Sequence, residues 1–238
     1  MKRMSKFQDK QIASMFSKIS PWYDFLNHFL SFGIDIYWRK KLIESIENIQ
    51  GIKRPVFLDL ATGTMDVIIY LAKRFYQSKP ILIGLDLSYE MLRAGLKKTK
   101  KIDSKLAICA NGKKIPIKTS SIDVVTIAFG IRNVSPRKEL YREVLRVLKP
   151  GGTFLILEFS PPKKKIMFGL YNLYLSSILP FIGNKVSRNK KAYTYLRDSI
   201  LKFPSSFQLK QELLHSGFSD VNYYPLTYGI VYLHKARK

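Results

Sequence analysis

One cysteine, Cys109, is all that the 238 residues carry. A single thiol excludes an internal disulfide and offers no paired-cysteine spacing for zinc; it fits a reducing cytosol. Histidine is almost as scarce. His28, His215 and His234 stand far apart, and no metal-ligand cluster is visible. Acidic residues are few, 17 Asp and Glu against 41 Lys and Arg, and the resulting charge of +24 speaks about partners, not fold. RNA, DNA and an anionic membrane surface are the natural partners; a lysine-rich composition bias is the bland alternative. The basic residues lie in short runs, "KKTKK" (97–101), "KKK" (163–165) and "RNKK" (188–191). No aromatic-basic strip of the kind that lines a single-strand channel accompanies them.

Other signals are missing too. No apolar core follows "MKRMSKFQDKQ", so a secretory leader is not expected. The longest apolar run, "IMFGLYNLYLSSILPFIG" (166–183), only reaches the lower limit for a spanning helix. It holds Asn172, Ser176, Ser177 and Pro180, which favours a lid or an interface-lying helix. The dinucleotide fingerprint G-x-G-x-x-G is absent, which counts against NAD.

What is present is an alternation. Apolar runs at 55–61, 81–87, 105–110, 122–129 and 153–159 read as strands buried on both faces. Helical patterns lie between them at 66–76, 89–100 and 136–148. Ser135 suits a cap and Pro136 the first turn of the last of these, Leu140, Val144 and Leu148 share a face, and "KPGG" ends it. Such alternation argues a parallel sheet with helices on both faces. Residues 7–50 read as aromatic-rich helices, broken near Gly33 and restarted near Asp35. A capped helix is expected at 206–215. Two strand-like runs, 220–227 and 229–238, join almost without a loop and so require an antiparallel pair. The expected fold is therefore α/β, a seven-stranded, mostly parallel Rossmann-like sheet laid out like the class I methyltransferases. The expected organisation is one domain, with a helical cover (1–50), a cofactor core (51–160), an apolar lid (161–204) and a terminal helix and hairpin (205–238).

In open α/β sheets the ligand lies beyond the carboxyl ends of the strands. Asp59 and Gly63 follow the first strand. Asp86 ends the second, 23 residues after Gly63, about where an acidic residue meets a ribose hydroxyl pair. Ser88 can cap the next helix in "LDLSYEML", which leaves Asp86 for the sugar. Asn111 and Gly112 end the third strand, where adenine is read. Ala128 to Asn133, "AFGIRN", end the fourth and face the reacting group. S-adenosylmethionine has no pyrophosphate, so one glycine in the turn is compatible with it.

The motifs "FSKISPWYDFLNHFLSFGIDIYWRK", "LDLATGTMD", "GLDLSYEML", "IAFGIRNV", "LYREVLRVLKPGGTFLILEFSPP", "YTYLRDSILKFP" and "GIVYLHK" resemble, in order and over nearly the whole chain, those of the ubiquinone/menaquinone biosynthesis C-methyltransferases. The resemblance implies methyl transfer from S-adenosylmethionine to a ring carbon of a polyprenyl quinol. It carries cofactor roles onto Thr64, Asp86, Asn111 and Gly112. Asp59, Gly63, Asp66 and Ala128 complete the expected set. Thr62 and Met65 stand where the family has glycines, and Ala128 where it often has serine. A side chain at position 65 is expected to crowd the methionine part of the cofactor.

For the chemistry, Arg132 is expected as a fixed cation that favours a phenolate, and a salt bridge is its alternative. Asn133 is expected to orient a ring oxygen. Tyr23 and Asp24 should fold over the cleft, with Asp24 as a candidate general base. Tyr195 and Arg197 are substrate-side candidates. His28 is a weaker base, and His234 belongs to the last strand. No metal is required. Expected partners are the quinol and, peripherally, the inner face of an anionic membrane, with a homodimer or a quinone-synthesis complex as further options and no nucleic acid. Two alternatives stay open: an RNA methyltransferase, favoured by the charge but lacking the amine-methylating motif N/D-P-P-Y/F, and an inactive scaffold, supported by Met65.

Overall fold

Side chains alternate across a strand, and here both faces of the alternation are apolar. Phe57, Val124 and Leu155 enter one core cluster, while Leu58, Val125 and Phe154 enter another on the opposite side of the sheet. The computed structural model, which describes residues 11–17, 20, 24, 28, 31–47, 49, 51–161, 169 and 190–238, forms these runs into β1 (Val56–Leu60), β2 (Ile81–Asp86), β3 (Lys105–Cys109), β4 (Ile122–Ala128) and β5 (Leu148–Phe159). β6 (Val221–Leu226) and β7 (Val231–Arg237) complete a sheet of order β3-β2-β1-β4-β5-β7-β6. β1 to β5 pair in parallel, and β7 runs antiparallel between β5 and β6. β3 is an edge strand and only half buried, unlike the two-faced burial expected of it.

The helices are α1 (11–17), α2 (Ile34–Glu44), α3 (Asp66–Arg74), α4 (Tyr89–Lys98), α5 (Arg137–Val147), α6 (Lys190–Leu201) and α7 (Ser206–His215). α2 starts after Gly33, whose φ of 76° is the left-handed conformation that breaks the preceding turn. Its Trp38 and Leu42, with Val67, Ile68 and Leu71 of α3 and Leu92 of α4, cover one face of the sheet. Leu140, Tyr141 and Val144 of α5 and Leu209 and Leu213 of α7 cover the other. Each such side chain contributes roughly 1.5–3 kcal/mol by leaving water.

Helix signals held where the cap was local. Ser205 and Gln208 form a reciprocal capping box on α7, and Ser88 Oγ accepts from Met91 N on α4. The start of α5 differs from expectation: Pro136 is the cap residue, without a side-chain bond, and Arg137 is the first helical residue. Its end differs too. Leu148 is already extended, and "KPGG" lies inside β5, because the chain passes directly from helix into the β4 pairing at Ile122.

Between α4 and β2 the packing is close. A Cβ at Gly95 would lie 2.7 Å from Met65 Cγ and 3.0 Å from the Thr64 backbone, and one at Gly84 would lie 2.9 Å from Thr62 Cγ2. Gly95→Ala is expected to destabilise the fold by about 1–3 kcal/mol through overpacking, lowering the melting temperature by about 3–10 °C in a thermal denaturation followed by circular dichroism.

Candidate active site

From β1 the chain steps outward to β2 and β3, then returns to place β4 on the other side of β1. The loops leaving β1 and β4 therefore diverge, and a crevice opens at their carboxyl ends. The two loops still touch at its base. A Cβ on Gly130 would fall 2.5 Å from Ala61 Cβ, so only glycine fits there.

The crevice is open on one side and takes in about 820 Å³ of space, solvent at its mouth included. Gly63, Asp86, Leu87, Ser88 and Met91 form its β1–β2 side, and Ala110, Asn111, Gly112 and Lys113 its β3 end. Ile127, Phe129, Gly130, Asn133 and Val134 form the β4 side, and Ile12, Ala13 and Phe16 of α1 lie over it. Ser17 Oγ is 2.8 Å from Ser88 Oγ, which ties α1 to the start of α4. Of the N-terminal segment, α1 thus lies over the crevice. The three lining residues of α1 escaped sequence reading, although Ala13 and Phe16 at i, i+3 and Ile12 and Phe16 at i, i+4 fall within one apolar stripe of a helix.

The turn after β1 holds its shape by backbone bonds. Ala61, Gly63 and Met65 all have positive φ, 49°, 54° and 66°, and Met65 N donates to Thr62 O at 2.9 Å. Gly63 N donates to Asp86 Oδ2 at 2.9 Å, and Ser88 N to Asp86 Oδ1 at 2.8 Å. Burial raises the Asp86 pKa, and those two amides oppose the rise. Each carboxylate oxygen keeps lone-pair capacity toward the crevice.

Met65 overturns the expectation of crowding. Its side chain is 1% exposed and belongs to the α2–α3 core cluster. It passes between Gly84 and Gly95, with Sδ 3.7 Å from Thr99 Oγ1. The two glycines leave room on the far side of the turn, so the methionine points away from the crevice.

Four expected cofactor residues do not line the crevice. Asp59 is buried and accepts from Thr126 Oγ1 at 2.6 Å, bridging β1 and β4; burial pushes its pKa up to about 7. Thr64 Oγ1 donates to Asp24 Oδ1 at 2.5 Å. Asp66 pairs with Lys98 at 2.5 Å and with Arg39 at 3.6 Å. Ala128 turns into the α2–α3 cluster, and its neighbours Ile127 and Phe129 line the crevice instead. Gly63, Asp86, Asn111 and Gly112 are brought together as expected. Asn111 Oδ1 accepts from Lys113 N at 2.9 Å, which fixes the turn after β3.

The expected catalytic set divides in the same way. Both Asp24 oxygens are engaged, by Thr64 and by Lys98 Nζ at 2.6 Å, so Asp24 clamps the N-terminal segment to the turn and α4. The same chain of charges continues through Arg39 to Asp35, which lies 2.8 Å from His28 Nδ1. Burial works against ionisation of Asp35, yet His28, Ser31 and Arg39 together hold its carboxyl below the usual range. Arg132 is the salt bridge, not an open cation: Nη1 donates to Glu158 Oε1 at 2.7 Å and to Phe129 O at 2.6 Å, and its side chain is 6% exposed. Asn133 does line the crevice, and Tyr195 Oη donates to its Oδ1 at 2.9 Å. Arg197 pairs with Asp198 on the flank of α6. His234 is buried in β7 against Ser206 O, with its pKa pulled down to about 4 by burial. Tyr23 and the apolar run 166–183, apart from Gly169, lie outside the described residues. Among the described residues no three or more His, Cys, Asp or Glu side chains gather as metal ligands, and no helix is long and apolar enough to cross a membrane. Lys98 and Glu158, which complete these pairings, left no mark in the sequence because their partners are distant in it.

Residues 4–238 match the model of the ubiE/COQ5 methyltransferase family. A ubiquinone/menaquinone biosynthesis C-methyltransferase UbiE of Geotalea daltonii is 40% identical over 99% of this chain and 100% of its own length. The protein of the same name from Blochmanniella floridana is 39% identical over 95% of this chain and 89% of its own. Among solved structures, a chain of the complex between the Haloferax volcanii Trm112 methyltransferase activator and the putative methyltransferase superposes with a TM-score of 0.65 at 14% identity, covering 93% of this chain and 96% of that one. Haemonchus contortus phosphoethanolamine N-methyltransferase 2 in complex with S-adenosyl-L-methionine gives 0.60 at 17% identity, covering 83% and 52%. At such identities the structures support the fold alone.

Two variants probe the turn. Met65→Gly relieves a left-handed methionine worth about 1–2 kcal/mol but removes a buried side chain worth about 2–5 kcal/mol. A net loss of stability is expected in denaturant titration, with cofactor affinity by calorimetry unchanged within about twofold. Asp59 titrates at 3.8 when unfolded and at about 7 when folded. Between these values the folded chain keeps a proton that the unfolded chain has lost, so this group's contribution to stability falls as pH rises from about 4 to about 7. Asp59→Asn should therefore raise the melting temperature relative to wild type by several degrees more at pH 8 than at pH 4.

Proposed function

The chain belongs to the ubiE/COQ5 methyltransferase family, and from that premise we propose which of its residues hold the cofactor and which face the methylated ring. The protein is an S-adenosylmethionine-dependent C-methyltransferase of quinone biosynthesis. The observation that carries the assignment of residues is Asp86: a carboxylate at the end of β2, fixed on Gly63 N–H and Ser88 N–H, with acceptor capacity left toward the crevice. Such a group accepts from a ribose hydroxyl pair and repels a phosphate. We assign Asn111 and Gly112, at the β3 end of the crevice, to the adenine, with Leu87 and Met91 as apolar walls.

When bound, S-adenosylmethionine supplies an electrophilic methyl group on a sulfonium. The chain's part is alignment, exclusion of water and stabilisation of charge. A quinol ring carbon becomes nucleophilic as an adjacent hydroxyl loses its proton. Asn133, at the β4 end of the crevice, is the group we assign to that oxygen. Phe129, Ile12 and Phe16 keep the site apolar, which strengthens each polar contact inside it. Arg132 acts one step back. Bonded to Glu158 and Phe129 O, it fixes the turn that presents Phe129 and Asn133.

The substrate class we infer is a polyprenyl quinol met at an anionic membrane surface. The charge of +24 supports the surface, since each nearby Lys or Arg adds about 1 kcal/mol of attraction to anionic lipid. The scaffold alternative loses its motive, because Met65 leaves the crevice clear.

Asp86→Ala is expected to weaken S-adenosylmethionine binding about 10- to 100-fold, or about 1.4–2.8 kcal/mol, by calorimetric titration. Wild type supplied with methyl-labelled cofactor and a short-tailed demethylated naphthoquinol or benzoquinol should place the label on a ring carbon. Cofactor binding with no label on either quinol would overturn the substrate reading and leave the cofactor assignment standing.

A further inference from the structure

We propose that Tyr195 is a positioning residue: its hydroxyl fixes the side-chain amide of Asn133 so that the NH2 group, and not the carbonyl, faces the reacting oxygen. The inference rests on the quinol reading of the crevice.

A primary amide presents two different faces, one accepting and one donating. An oxygen that gains negative charge needs the donating face. In Asn133 the carbonyl is held away. Tyr195 Oη donates to Oδ1 at 2.9 Å, and the side chain of Asn133 lines the crevice at the β4 end. Among the described residues this amide oxygen is the hydrogen-bond partner of the Tyr195 hydroxyl. Turned over, the amide would donate to that hydroxyl, whose own proton would then need another acceptor in a half-buried setting.

The surroundings keep both partners in place. Asn133 ends a single 3-10 turn, Ile131–Asn133, with its N–H on Gly130 O at 3.1 Å. The next residue back, Arg132, is locked to Glu158 at 2.7 Å. Tyr195 comes from α6, which packs on that turn. Burial raises the Tyr195 pKa, with the Arg132 cation opposing and the Glu158 carboxylate adding to the rise. The phenol therefore stays protonated, a donor, at neutral pH. The bond joins an element after β5 to one after β4. Loss of α6 docking would release the amide, so the orientation is available only when the C-terminal part of the chain is seated.

The test uses the full chain with S-adenosylmethionine and the short-tailed quinol that wild type accepts. Tyr195→Phe keeps the ring and removes the hydroxyl. Its kcat is expected to fall about tenfold, less than the about 100-fold that loss of a donor outright brings in Asn133→Ala. Cofactor affinity by calorimetry should stay within about twofold, and the melting temperature within about 2 °C. In the Asn133→Ala background, Tyr195→Phe should change kcat no further, because the hydroxyl then has no amide to orient. A full tenfold loss in both backgrounds, or a loss confined to cofactor affinity, would overturn the proposal. A measurement independent of the quinol separates the two readings. The Asn133 side-chain amide signal in a 15N spectrum, assigned by its absence in Asn133→Ala, should shift in Tyr195→Phe. If it shifts while no quinol is methylated by wild type, the substrate reading fails and the positioning stands. An unmoved signal sinks the positioning whatever the substrate.

Discussion

The reversal of the sheet at β1 is the constraint on which everything else depends. A right-handed crossover can continue on only one side of a strand at a time. Once β2 and β3 are laid down on one side, β4 must return to the other, and its loop must pass close to the loop leaving β1. The contact of Gly130 with Ala61 is that passage. The Asp59–Thr126 bond is its counterpart inside the sheet, joining the two strands that diverge above it. The crevice is a consequence of strand order before it is a consequence of any side chain.

On that frame the turn after β1 is held from both sides. From within the crevice, Asp86 takes the Gly63 amide. From outside, Thr64 and Asp66 are gripped by Asp24, Lys98 and Arg39, and Met65 is anchored between two glycines. Three of its five residues have positive φ, a conformation that a free loop would not keep and that needs surrounding contacts to hold it. The outer grip belongs to the same side of the sheet as α2, α3 and α4. The same ion pairs that tie Asp24 to α4 therefore also shape the turn after β1.

The pairing of Arg132 with Glu158 is a second case of one residue acting through others. A guanidinium so deeply buried demands a carboxylate partner, and Glu158 at the end of β5 provides it. The pair settles the turn between β4 and α5 on which Phe129 and Asn133 stand. The Arg132 charge is balanced within the protein, and Asn133, the polar residue of this turn that lines the crevice, carries a neutral amide.

Much of this was legible from the chain alone, and the reason is periodicity. Apolar runs with strand length fixed five strands. The junction near Thr227 fixed the antiparallel pair, and strand ends pointed to Gly63, Asp86, Asn111 and Gly112, because ligand position in such sheets follows from strand order. Those features depend on neighbours in sequence. The direction of Met65, the fate of Arg132 and Asp24 and the bond from Tyr195 to Asn133 do not. Met65 is set by glycines on two other elements, and Arg132, Asp24 and Asn133 by Glu158, Lys98 and Tyr195, which lie 26, 74 and 62 residues away. A charged or amphipathic side chain looks the same in sequence whether it faces a substrate or a buried counter-charge. Only the packed structure decides, because burial makes the unpaired choice too costly.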